Sequence, residues 1–122
     1  MELTDRERVI TTAIIEGGYL GDKLVLLVSR DAPSNSRIYL FEKIARSWGY
    51  YVEVMPYEGL TNVKGKNCLV DAIKKYYSHR LVVPRFFLGA KGKEGAPVRL
   101  FRVENSSILM LNQRKRIWEV VS

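Results

Sequence analysis

Apolar positions along the chain recur at helical spacing in three stretches and gather into short runs elsewhere. Between Thr4 and Gly17, the residues Val9, Ile10, Ala13, Ile14 and Gly17 fall on one stripe of a 3.6-residue helix. Thr4 followed by Glu7 is a capping-box pattern, in which hydroxyl and carboxylate each take an orphan N–H. Asp5 and Glu7 also suit the positive end of the helix dipole. Gly17-Gly18 is expected to stop this helix in the left-handed cap conformation that glycine adopts without steric cost. A second helix is predicted over Arg37–Trp48, with Ile38, Phe41, Ile44, Ala45 and Trp48 on one face and Gly49 closing it. A third covers Cys68–Tyr77, with Leu69, Ile73 and Tyr76 or Tyr77 inward. Lys74 and Lys75 stand in its last turn, where cations suit the dipole.

The remaining apolar runs read as strands. Lys23–Ser29 is a continuous run that suits a buried strand, and DAPSNS after it is a loop of turn-formers. Tyr50–Tyr57 is a strand that ends, or lies at an edge, at Pro56, and Glu58-Gly59 is a turn. Val63–Lys66 is at best a poor strand. Leu81–Leu88 and Val98–Val103 are two strands joined by the glycine-rich GAKGKEGAP. Asn105–Ser107 is a turn, and Ile108–Leu111 and the closing IWEVV are strands joined by the Asn112–Lys115 turn. The expectation is a single α+β domain with a β extension from residue 81 to 122.

Charge adds a direction to this picture. The 122 residues carry 20 Lys plus Arg against 13 Asp plus Glu, a formal +7. Residues 1–62 hold 7 basic and 9 acidic side chains, net −2, whereas residues 63–122 hold 13 and 4, net +9. All the excess positive charge therefore sits in the second half, which points to a polyanionic partner. Arg85, Lys91, Lys93, Arg99 and Arg102 fall on or around the first hairpin, and Arg114, Lys115 and Arg116 form a second patch. Cations on a β-ribbon neutralise phosphates when the ribbon enters a DNA groove. Phe86, Phe87 and Phe101 interleave with these charges, either as hairpin core or as platforms for unpaired bases. Cys68 is the one cysteine, which excludes an internal disulfide framework and suits a reducing interior, cytoplasmic or nucleoid-associated. No apolar stretch is long enough to span a bilayer, and no signal peptide is read at the start. His79 has no nucleophile partner in a recognised setting, and GKE lacks the Ser or Thr of a phosphate-binding P-loop.

Three segments carry a family resemblance. TTAIIEGGYLGD resembles the signature helix of the LAGLIDADG homing endonucleases, IYLFEKIARSWGYYVEV the second helix and third strand, and LVDAIKKYY the last helix. The resemblance covers residues 4–78 and implies an αββαββα unit. It implies a homodimer whose signature helices pack side by side, with the small residues Ala13 and Gly17 at the dimer interface. It also implies that Glu16 is catalytic, two copies holding Mg²⁺ against a scissile phosphate for DNA cleavage. The family's acid precedes the final glycine of the motif; here that place is Gly17, and Glu16 lies one residue earlier. A DNA-binding descendant that does not cut is the other form of the same resemblance. Asp22 is a second acidic candidate, or the cap of a turn. The alternative from another class is a non-catalytic RNA-binding or ribonucleoprotein accessory module, with DNA the preferred partner; a structural protein whose charge serves solubility is the third.

Overall fold

The computed structural model describes residues 2–19, 21–30, 32–57, 68–78, 80, 83–90 and 96–122. The expected Glu58-Gly59 turn, the Val63–Lys66 segment, His79, Lys91 and Lys93 lie outside the described residues. The helices are α1 (Asp5–Gly17), α2 (Arg37–Ser47) and α3 (Cys68–Tyr77), close to the predicted spans. The strands are β1 (Lys23–Ser29), β2 (Tyr51–Tyr57), β3 (Phe86–Ala90), β4 (Arg99–Glu104), β5 (Ser107–Asn112) and β6 (Ile117–Val120). They form one six-stranded mixed sheet in the order β2-β1-β3-β4-β5-β6.

The sheet has two halves. In the first, β1 pairs parallel with β2 on one side and with β3 on the other. Six consecutive residues of β1, Leu24–Ser29, are buried, as expected of a central strand covered on both faces. The chain crosses from β1 to β2 through α2, then back past β1 to β3 through α3. Crossovers of one hand that move in opposite directions must pass over opposite faces of the sheet. The two cores show this division. Ile10 and Ile14 of α1 and Ile38 and Phe41 of α2 pack with Leu24, Leu26 and Leu88 on one face. Leu69, Ile73 and Tyr76 of α3 pack with Val25, Leu27, Phe87 and Phe101 on the other. The second half is an antiparallel meander, β3-β4-β5-β6, as the alternation of the tail predicts. Asn105 and Ser106, both at positive φ, make the tight turn between β4 and β5.

This order agrees with the single strand read at Lys23–Ser29 and differs from the hairpin before α2 that the αββαββα resemblance implies. A single strand, β1, stands between α1 and α2, and its neighbour β2 runs parallel to it. Lys23–Ser29 is apolar on both faces, so it suits a central crossover strand rather than one arm of a hairpin with a wet side.

The end of α1 differs from expectation as well. The capping box is formed: Thr4 Oγ1 accepts from the Glu7 N–H at 3.2 Å, and the Glu7 carboxylate accepts from the Thr4 N–H at 2.8 Å. Gly18, however, caps the helix in extended backbone, φ −107° and ψ 168°. Its need for glycine is spatial. A Cβ there would lie 2.8 Å from the Ile14 carbonyl oxygen and 2.9 Å from the Tyr50 hydroxyl. A Cβ on Gly17 would meet the ring of Phe86 at 2.9 Å. Gly17 thus brings α1 close to its own sheet, and Ala13 is packed at the rim of the same core. Within the chain the small residues of the stripe serve this packing, where the resemblance had them face a second copy of the helix. Asp22 is a turn cap, its carboxylate accepting the Tyr19 N–H at 2.9 Å.

Candidate nucleic-acid interface

Parallel β1 and β3 end together, Val28 opposite Ala90. Antiparallel β4 begins beside that end, Arg99 opposite Gly89, and β5 finishes there at Asn112. The N-terminus of α2 follows β1 at the same end, and Arg37 ties the start of α1 to it. Its guanidinium donates to both carboxylate oxygens of Glu7, with Nε to Oε2 at 2.8 Å, and Nη2 also donates to the Glu2 carbonyl at 2.8 Å. The carboxyl end of the parallel strands, where open sheets with crossover helices receive ligands, is thereby crowded with element starts and turns.

Four cations meet there. Arg6 from α1, Arg99 from β4, and Arg114 and Lys115 from the β5–β6 turn line a cleft of about 280 Å³ together with Asn112 and Gln113. No carboxylate among the described residues lines it. The turn is held in shape by its own side chains. Asn112 Oδ1 accepts the Arg114 and Lys115 N–H groups at 3.2 and 3.0 Å. Gln113 Nε2 donates to the Val98 carbonyl at 3.2 Å, fastening the turn to the start of β4. Arg116 closes the turn at φ 59°, a backbone conformation that costs a side chain about 1 kcal/mol. Arg6, Arg99, Arg114, Lys115 and Arg116 make no ion pair among the described residues. No described carboxylate therefore neutralises them.

A larger groove of about 700 Å³ adjoins this cleft through Leu111. Its floor is Phe86, Leu111 and Trp118, with the two aromatic rings stacked at 6.2 Å. One wall is α1, including Ala13, Glu16 and Gly17, and Arg8, Arg102 and Arg116 supply three cations. Arg102 lies 4.6 Å over the Trp118 ring and pairs with Glu104 at 2.8 Å, while its buried Nε finds no acceptor among the described residues.

Glu16 is exposed and lines this groove together with Arg102 and Arg116. One copy of the chain supplies this place with Glu16 alone, and the resemblance draws the second carboxylate for Mg²⁺ from another copy. That cation wants several oxygen ligands, and the other carboxylate of the groove, Asp5, is eleven residues away on the same helix, about 16 Å along its axis.

The other predicted residues separate. Arg85 precedes β3, at the opposite end of the sheet, with its guanidinium 5.0 Å from the Tyr19 ring. Phe86, Phe87 and Phe101 are core residues, 3% exposed or less, so none offers a stacking face to a base. Tyr76 and Arg80, at the end of α3, serve packing. Tyr76 is buried against Phe87, its hydroxyl donates to Glu53 at 3.1 Å, and Arg80 covers its ring at 4.0 Å. Burial pushes the Glu53 carboxyl up, but hydrogen bonds from Lys23 and Tyr76 outweigh it and hold Glu53 below its ordinary value. Arg6 and Arg8 were absent from the sequence reading, because the half that contains them is net acidic. Arg8 carried a visible signal, its place in the first turns of α1 off the apolar stripe, whereas Arg6, three residues before Val9 and four before Ile10, continues the stripe.

Comparison with family models, curated proteins and solved structures finds no match to this chain.

Proposed function

We propose that this protein binds nucleic acid, DNA ahead of RNA, through the cationic end of the sheet. The observation that carries the reading is the cleft in which Arg6, Arg99, Arg114 and Lys115 meet with no carboxylate and no ion pair among the described residues. These groups come from three separate parts of the chain, so local sequence composition does not account for their meeting. Cations projecting from a ribbon and its turn suit the phosphates of a duplex. Burial of all three candidate phenylalanines takes away the stacking platform that favoured unpaired RNA.

Binding of a labelled DNA duplex, titrated over a series of salt concentrations, tests this. Each phosphate neutralised contributes about 0.9 to the slope of log K against log salt. Arg99→Ala, Arg114→Ala and Lys115→Ala should each weaken binding across unrelated sequences and lower the slope by about 1. Arg85→Ala, at the far end of the sheet, should leave it unchanged. A triple variant with the wild-type slope would remove the cleft from the interface.

A further inference from the structure

The sheet has two edges, and they are built differently. On the β2 side, Pro56 lies inside the edge strand and offers no N–H, and Glu53 is tied to Lys23 and Arg80. A proline and engaged charges are devices that discourage a further strand from joining. On the β6 side, Ile117–Val120 contains neither Pro nor Lys. Three of its apolar side chains reach solvent: Ile117 is 50% exposed, Val120 67% and Val121, just beyond, 36%. Trp118 lies between them, half-buried over the groove.

Among the described residues the backbone of β6 is also unspent on its outer side. The Val121 N–H donates to the Ile108 carbonyl on β5. Alternation along a strand then turns the amides of Glu119 and Ile117 towards β5 and those of Trp118 and Val120 outward, with their carbonyls. We infer that β6 is the contact edge of a two-fold dimer, in which the β6 strands of two copies pair antiparallel and continue one sheet through both. A two-fold axis at Glu119 sets Trp118 opposite Val120 of the second copy, and Val120 opposite its Trp118. Every outward amide and carbonyl of these two residues then has a partner. On the α1 face Trp118 lies beside the second copy's Val120, and on the other face Ile117 lies beside its Val121. Both cross-strand pairs are apolar, the type that stabilises an antiparallel ribbon. Only Glu119 meets its like across the axis, and each carboxylate is drawn aside by a hydrogen bond from Asn112 Nδ2 of its own chain. The two grooves beside α1 would then share one floor, with Trp118 of each copy at the seam. This seam is distinct from the helix-to-helix packing that the resemblance implies, and it does not depend on nucleic-acid binding.

Sedimentation velocity of the wild type across the micromolar range, without nucleic acid, should show a concentration-dependent dimer. Val120→Lys should shift it to monomer with an unchanged far-ultraviolet spectrum and the melting temperature of the wild type at dilutions where that is monomeric. Glu119→Gln should tighten the dimer about threefold, by removing the like charges at the axis. Gly17→Ala, on α1, should leave assembly unaltered. Amide exchange on the wild type gives a readout that needs no variant: Trp118 and Val120 should be protected at high concentration and exchange faster on dilution, while Glu119 stays protected throughout. A wild type that remains monomeric, a dimer indifferent to Val120→Lys, or Trp118 and Val120 amides whose exchange ignores concentration would each overturn the inference.

Discussion

At the residue scale, Glu7 carries more of the fold than any other charged side chain described. It completes the α1 capping box, accepts the Arg37 guanidinium from the start of α2, and is itself buried. Burial alone would raise its carboxyl, but hydrogen bonds from Arg37 and Thr4, with the Arg37 charge, outweigh that and hold it below its ordinary 4.5. A carboxyl depressed in the folded state gives stability that is fully present above its unfolded value and is lost as pH falls through the folded one. The window is therefore acidic, opening near pH 4.5 and extending below it. Glu7→Ala removes the cap and the charged hydrogen bonds together, and should cost about 2 kcal/mol at neutral pH. That corresponds to a melting temperature lower by about 8 °C. Thermal melts at about pH 6 and about pH 3 should also show wild type and variant converging at the lower pH. A gap as wide at low pH as at neutral pH would mean that the ionised carboxylate is not what stabilises this junction.

At the scale of elements, the helices were legible because period and punctuation agreed. The α1 stripe, its capping box and the Gly49 stop at φ 90° all stand where the sequence put them. The antiparallel tail was legible for the same reason: short alternating runs separated by turn residues have few other solutions. The direction of β1 was not, because a short run buried on both faces looks the same in a hairpin as in a crossover unit until its partners are known. Gly17 and Gly18 were misread for a related cause. Their neighbours, Phe86 and Tyr50, are remote in sequence, so a requirement for space resembled a requirement for a left-handed cap. The cationic cleft was half legible. Arg99, Arg114 and Lys115 were visible as basic patches, but Arg6 joins them only through the packing of α1 over the sheet. The two glycines also separate experimentally. At Gly18 a methyl group would meet the backbone oxygen of Ile14, which cannot move without unwinding the last turn, and Gly18→Ala should cost about 1–3 kcal/mol. Gly17→Ala gains roughly 1 kcal/mol of helix propensity against a contact with the tip of one ring, and should be close to neutral. Urea titrations of the two variants decide this. Equal midpoints would show that the Ile14 carbonyl is not the obstacle.

At the scale of the whole molecule, charge and fold make one prediction with two opposite signs. The chain carries a formal +7, with the +9 half supplying the antiparallel meander and the turn that ends in the cleft. Repulsion among these cations disfavours the compact state, and added salt screens it. The free protein should therefore melt slightly higher as salt rises. A bound polyanion reverses the dependence. A ligand that binds only the folded state at about 100 times its dissociation constant adds about 2.7 kcal/mol, or a rise of about 10 °C for a domain of this size. Because phosphate contacts weaken steeply with salt, this rise should shrink as salt increases, until the curves with and without DNA meet. Melting curves over a range of salt concentrations, with and without excess duplex, contain the whole comparison. The same series for Arg99→Ala/Arg114→Ala/Lys115→Ala separates the two effects. Its free protein should gain less from salt, having less repulsion to screen, and its DNA-dependent rise should be largely gone. Melting temperatures that climb with salt equally in the presence and absence of DNA would mean that the positive half answers to no polyanion, and that its charge acts on solubility alone.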